Sequence, residues 1–297
     1  MIKVLDYSKK YGSFEAVKKT NLHIRRGEIY ALLGPNGGGK TTMFKSIVGL
    51  SKPTTGKILI DNEDLWEKSE EVKSKLSFLP QRITIPDNLK IREVLKFFSS
   101  LKQVSKNRVD EVLSQIDITG NLNQYVGELS GGMIQRLGLV ITFLGDVPIY
   151  VLDEPTLNLD LNGIKKFRSF ICKQKEYGKT ILLSTHALLE AESIADRVGV
   201  VASGKIVLNQ KVSEFRERVE NKTSMLLVLT NQDPNLIAVA LQNGAVTAEF
   251  ENGHLRYRAD QINQIKVIEA IRKNGGGILN IATEKPNLNR LIGEHYE

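Results

Sequence analysis

Residues Gly34 to Thr42 read GPNGGGKTT, the composition of a phosphate cradle. Gly34, Gly37, Gly38 and Gly39 let a loop curl with its N–H groups turned inward, and a helix starting just beyond would aim its positive dipole end at the same point. Pro35, Asn36 and Thr42 belong to the same cradle. Lys40 is placed to reach the β- and γ-phosphates of a nucleotide, and the Thr41 hydroxyl to take one position on Mg²⁺. The match to G-x-x-x-x-G-K-[ST] is strengthened by its setting, between the apolar run Ile29 to Leu33 and the helical pattern Met43 to Leu50. By itself it indicates nucleotide binding and leaves kinase, GTPase and transport ATPase open.

A second set of chemical residues lies at the end of the apolar run Ile149 to Leu152, which stops at Asp153-Glu154-Pro155. Such a run reads as a buried parallel strand, and the carboxyl ends of these strands are where α/β sheets place ligands. Asp153 is assigned to Mg²⁺. Glu154, pointing the opposite way along the strand, is assigned to orienting or deprotonating a water. The plain alternative is that Glu154 is a solvated strand-end carboxylate. His186 follows the strand Thr180 to Ser184 at the same sheet edge, where it could donate a hydrogen bond to a γ-phosphate; a lone histidine is more often structural. Tyr11, in KKYGSFEAV, could stack on adenine or simply pack.

Other elements must hold these residues in place. Residues 2 to 33 read as short strands broken at Gly12 and at Arg26-Gly27, and PTTG at 53 to 56 as a turn before the strand Lys57 to Ile60. A helix near Glu67 to Lys75 leads into the strand Leu76 to Leu79. From Arg82 to Val126 apolar residues recur at helical spacing, Leu89, Val94, Leu95, Phe98 and Leu101, then Val109, Val112, Leu113 and Ile116, with Ser105 as an N-cap. LSGGM, Leu129 to Met133, opens an apolar helix. A helix from about Leu161 to Tyr177 stops at Gly178, strands follow near Arg197 to Ala202 and Lys205 to Asn209, and Val212 to Val219 is a final helix.

The 297 residues allow a large and a small domain. No apolar run approaches the about 18 residues of a membrane span, and the N-terminus lacks a signal-peptide core, so a cytosolic chain is expected. Its one cysteine, Cys172, excludes an internal disulfide and a cysteine metal cluster. Net charge is +7, and because residues 224 to 297 carry 7 basic and 8 acidic side chains, the preceding body holds +8. A basic body suits nucleotide phosphates, an anionic membrane face or nucleic acid.

Together these motifs resemble the nucleotide-binding subunits of ABC transporters. The family's Walker A pattern matches Gly34 to Thr42, its Q-loop Gln81, its signature Leu129 to Met133, its Walker B Ile149 to Asp153 with the catalytic glutamate at Glu154, its D-loop Leu157 to Asp160, its switch histidine His186 and its A-loop aromatic Tyr11. The resemblance implies an α/β P-loop fold of ABC ATPase type over residues 1–220, a mixed sheet with an antiparallel β subdomain and a helical subdomain at about 82–145. It also implies ATP and Mg²⁺, the metal held by Thr41, Asp153 and Gln81, and two subunits head to tail. Each ATP would lie between one chain's P-loop and the other's Ser130, Gly131 and Gly132, with Asp160 nearby. The further partner is an integral membrane permease, with the subunit peripheral on the inner face of the membrane and no nucleic acid expected.

Two positions depart from the family pattern, Met133 where glutamine is usual and Asn158 where serine or glycine is commoner. Met133 with IQRLGL is similar to the exporter-like branch of drug-resistance, cytochrome-maturation and nitrous-oxide-reductase-maturation subunits. Residues 224–297 give the order βαββαβ, with a hairpin turn at Asn252-Gly253, and so a small ferredoxin-like domain. It resembles the accessory domain of exporter-type subunits, including the stretch EKPNLNRLI. The rival reading is a soluble ABC-type ATPase acting on nucleic acid or ribosomes. The basic body favours it; the short helical insert and the single P-loop oppose it. A non-hydrolysing sensor is a third reading, opposed by the complete carboxylate pair and histidine.

Overall fold

The computed structural model describes residues 1–118, 122–221 and 224–284. In chain order, β1 (Ile2–Tyr11), β2 (Phe14–Ile24) and β3 (Ile29–Leu33) precede α1 (Lys40–Ile47), then β4 (Thr55–Ile60), β5 (Glu63–Asp64), α2 (Ser69–Ser74) and β6 (Leu76–Leu79). The helical stretch is α3 (Ile91–Leu101), α4 (Lys106–Ile116), a 3₁₀ turn at Val126–Glu128 and α5 (Gly131–Leu144). Alternation resumes with β7 (Ile149–Asp153), α6 (Leu161–Glu176), β8 (Thr180–Thr185), α7 (Leu188–Ile194), β9 (Arg197–Ala202), β10 (Lys205–Lys211) and α8 (Val212–Asn221). Last come β11 (Ser224–Leu229), α9 (Asn235–Gln242), β12 (Ala245–Glu251), β13 (His254–Ala259), α10 (Gln261–Lys273) and β14 (Ile278–Glu284).

Two compact units emerge, Met1–Val212 and Ser213–Glu297. The first contains a six-stranded sheet in the order β10-β9-β3-β8-β7-β6, parallel except for β10, and an antiparallel sheet in the order β2-β1-β4-β5. Every residue of β3, β7 and β8 is buried. That is why β3 and β7 up to Leu152 read as apolar runs, since a parallel strand between layers has no wet face; β8, TILLST, keeps only three apolar residues at its centre. One core joins the two sheets through α1: Met43, Phe44 and Ile47 meet Ile2, Val4 and Ile58 of the antiparallel sheet and Leu32, Val151 and Leu182 of the parallel one. Each such side chain contributes about 1.5–3 kcal/mol by leaving water. Tyr7 donates to Ser46 Oγ at 2.8 Å inside this core and fixes the rotation of α1.

Local signals account for most boundaries. Ser105 caps α4, its hydroxyl accepting from the Arg108 N–H, as expected. The first helical pattern starts later than its apolar spacing predicts: α3 begins at Ile91, and Leu89 lies outside it. Thr55 and Gly56, read as part of a turn, already belong to β4. The short α7 and β5 had no periodic signal to announce them.

Within the second unit the sheet order is β12-β13-β11-β14, all neighbours antiparallel, in the expected βαββαβ sequence of elements. Met225, Leu227, Leu255 and Tyr257 share one core with Leu236 and Ala240 of α9 and Val267 and Ile271 of α10, so both helices cover one face. Arg256, alternating to the other face, pairs with Glu251 and Glu284 on the flanking strands. Asn252 and Gly253 both have positive φ, 50° and 83°, the backbone that a two-residue hairpin turn demands. The EKPNLNRLI stretch lies outside the described residues except for Glu284.

Candidate active site

Between β3 and α1 the loop wraps a pocket of about 460 Å³, lined by Pro35 to Thr42 with Phe14, Ala16, Gln81, Asp153 and Glu154. Gly39, at the N-cap of α1, has φ 104°, and a Cβ there would lie 2.8 Å from the Ala16 carbonyl oxygen, so only glycine fits. No side chain caps α1. Its first-turn N–H groups and its positive dipole end therefore face the pocket, the arrangement that binds anions.

Lys40, 6% exposed, donates to the carbonyl oxygens of Gly34 at 2.7 Å and Pro35 at 3.1 Å. Burial pushes its pKa below the ordinary lysine value, while the carboxylates of Glu154 and Asp153 act the other way. Thr41 donates to Asp153 Oδ2 at 2.7 Å, and Ser184 donates to Asp153 Oδ1 at 2.5 Å. The same Ser184 oxygen accepts the Glu154 N–H at 2.9 Å. Ser184 is thus a central organiser that sequence reasoning missed, because its pairing with Asp153 arises only from the parallel register of β7 and β8.

Glu154 requires a correction to its sequence-based orientation. It lies one residue beyond β7, with φ 51°, so a left-handed backbone sets its direction and strand alternation does not. Its carboxylate is 5% exposed; Oε2 is 3.0 Å from His186 Nδ1, and Oε1 is 3.8 Å from Lys40 Nζ and has no hydrogen-bond partner. An orphan acceptor beside a phosphate cradle is suited to taking up a proton from water. His186 engages Glu154 through Nδ1, which leaves Nε2 a lone pair in the neutral ring; donation to a phosphate from Nε2 would need the imidazolium. Two more unforeseen residues hold this turn: Thr185 donates to the buried Glu190 at 2.7 Å and accepts the Ala187 N–H at 3.0 Å.

The other sequence candidates divide. Gln81 lines the pocket just beyond β6. Tyr11 does not line it; its hydroxyl is 3.4 Å from Ser51 Oγ, and Lys9 lies over its ring. The aromatic lining the pocket is Phe14, the register partner of Tyr11 across the hairpin. Ser130 caps α5, accepting the Met133 N–H at 3.3 Å, and Gly131 and Gly132 form the first turn of that helix. None of the three lines the P-loop pocket. Asp160 also serves within its own chain, capping α6 through the Gly163 N–H at 3.0 Å and pairing with Arg136 at 2.8 Å.

The donors fit a Mg²⁺-nucleotide. Thr41 and Asp153 would offer hard oxygen ligands and Gln81 an amide oxygen, a donor set that suits Mg²⁺. No helix among the described residues is long and apolar enough to cross a membrane.

Comparison with known proteins agrees with this geometry. A family model described as ABC transporter matches residues 17–157. The bacitracin transport ATP-binding protein BcrA of Bacillus licheniformis is 32% identical over 302 residues, covering 99% of this chain and 97% of that protein. The lantibiotic transport ATP-binding protein SrtF of Streptococcus pyogenes is 33% identical over 71% of this chain and 91% of its own length. Among solved structures, an ATP-binding subunit of an ABC transporter superposes with a TM-score of 0.67 at 28% identity, over 73% of this chain and 92% of that one. A dimeric ATP-binding cassette in a post-hydrolysis state with ADP and Pi gives 0.66 at 27% identity, over 71% and 99%. The chain belongs to the ATP-binding subunits of ABC transporters, ATP hydrolases that work with Mg²⁺.

Proposed function

We propose that two copies of this subunit close head to tail over ATP and drive export of a peptide antibiotic through a separate permease, from the inner face of the membrane. The observation that carries the cargo class is likeness to a bacitracin transport subunit along both units of the chain, 99% of its length. Support for the dimer comes from the placement of Ser130, Gly131 and Gly132, exposed or half-exposed and outside the pocket their own chain builds. A second chain would bring that turn to the phosphates.

In this reading Lys40 and the uncapped start of α1 hold the β- and γ-phosphates. Thr41, Asp153 and Gln81 would hold Mg²⁺, which would supply charge neutralisation at the phosphate oxygens. Ser184 keeps Asp153 in place. Glu154 Oε1 accepts a proton from the attacking water, and His186 steadies the carboxylate through Oε2.

The test is to find whether an adjoining gene encodes a multi-span membrane protein and to co-express the pair in a bacitracin-sensitive host. Tolerance to bacitracin is expected to rise, and Lys40→Ala to abolish the gain. Unchanged tolerance, with ATPase activity indifferent to bacitracin but stimulated by nucleic acid or ribosomes, would replace this reading with the soluble one.

A further inference from the structure

The first turns of α5 are joined to the segment that follows β7 at three points. Gln135, buried on α5, donates through Nε2 to the carbonyl oxygens of Glu154 at 3.3 Å and Pro155 at 2.8 Å. Arg136, next to it, holds Asp160 at 2.8 Å. Gly132 approaches so closely that a Cβ there would lie 2.8 Å from the Asn158 carbonyl oxygen. Both Glu154 and Asn158 have positive φ, 51° and 64°, a backbone that asparagine adopts readily and glutamate uncommonly.

We propose that Gln135 is a positioning residue for hydrolysis, its amide fixing the peptide planes after Glu154 and thereby aiming the Glu154 carboxylate. This rests on the reading of Glu154 as the base. The Glu154 side chain leaves a backbone held from both sides: its N–H is taken by Ser184, its carbonyl accepts both the Leu157 N–H at 3.1 Å and the Gln135 amide, and the next carbonyl, Pro155, accepts Gln135 at 2.8 Å. Without the Gln135 amide only the local Leu157 bond holds the Glu154 carbonyl, so the left-handed turn loosens and Oε1 shifts from its place beside Lys40 and the pocket. Because Gln135 stands on the helix that Ser130 opens, a displacement of the signature turn is transmitted to the base of the same chain. In a head-to-tail dimer that turn faces the other ATP, so the amide connects one nucleotide to the base acting on the other.

The experiment uses the full chain with Mg-ATP, comparing wild type, Gln135→Leu and Gln135→His, each also in a Glu154→Gln background. Leucine keeps the volume and removes the donor; histidine restores an N–H at the same reach. Gln135→Leu is expected to lower kcat by about 10- to 100-fold, the effect of losing the amide donor to the Pro155 carbonyl and one of the two donors to the Glu154 carbonyl, with KM for ATP changed by less than about two-fold. Histidine should recover most of the rate, and in the Glu154→Gln background the leucine change should cost nothing further, since residues acting through one group are not additive. Wild-type turnover in Gln135→Leu would overturn the proposal. So would a full additional loss without Glu154, or a parallel fall in ATP affinity, which would mark a merely structural role. Undiminished hydrolysis in Glu154→Gln alone would overturn the premise about Glu154 itself.

Discussion

Two glycine-led helix starts serve one chemistry in different ways. At the P-loop the N-cap is Gly39, no side chain closes the helix, and the exposed N–H groups look into a pocket formed by their own chain. At the signature the N-cap is Ser130, whose hydroxyl oxygen already accepts the Met133 N–H, and the turn lies outside that pocket. The first is a finished anion site with a buried lysine held in readiness by two carbonyls. The second keeps only the hydroxyl proton and the N–H groups of the helix start for outside use. The glycines differ likewise: Gly39 is hemmed in by β2, whereas Gly132 is pressed against the Asn158 backbone. One start is therefore shaped for a ligand, the other for attachment to the carboxylate segment of its own chain.

The largest effect should come from Glu154, the proposed base. Glu154→Gln is expected to slow turnover by about 10²- to 10⁴-fold while ATP still binds, and to trap an ATP-dependent dimer visible by size-exclusion chromatography. Normal hydrolysis in that variant would remove the division between a binding half and a reacting half. Gly132→Ala tests the signature side. Its Cβ has no room beside the Asn158 carbonyl, so turnover should fall by about 10-fold while ATP affinity of the single chain, measured by fluorescence titration, stays unchanged. A matching loss of ATP affinity would mean that the two helix starts are not separate sites. The smallest effect belongs to the pocket rim. Phe14→Ala should raise KM for ATP several-fold, from loss of about 1 kcal/mol of stacking, and Tyr11→Ala less. The reverse order would return the adenine platform to Tyr11.

Much of the fold was legible in advance because its signals are local. The strands β3 and β7 have no wet face and so carry apolar runs up to Leu33 and Leu152; Ser105 and Asn252-Gly253 mark a cap and a turn by chemistry that acts over a few residues. The helix α7 was not legible, since its seven residues span too few turns to show a period. For the site, residue type and spacing single out the candidates: Gly34 to Thr42, Asp153, Glu154, His186 and the LSGGM turn. How they are held follows from the folded chain. The register of β7 and β8 brings Ser184 to Asp153, the packing of α5 brings Gln135 to the Glu154 carbonyl, and the β1–β2 hairpin puts Phe14 into the pocket with Tyr11 outside it. Residue types set which bonds are possible. Which are made depends on contacts between segments far apart in sequence, and local spacing contains no record of them.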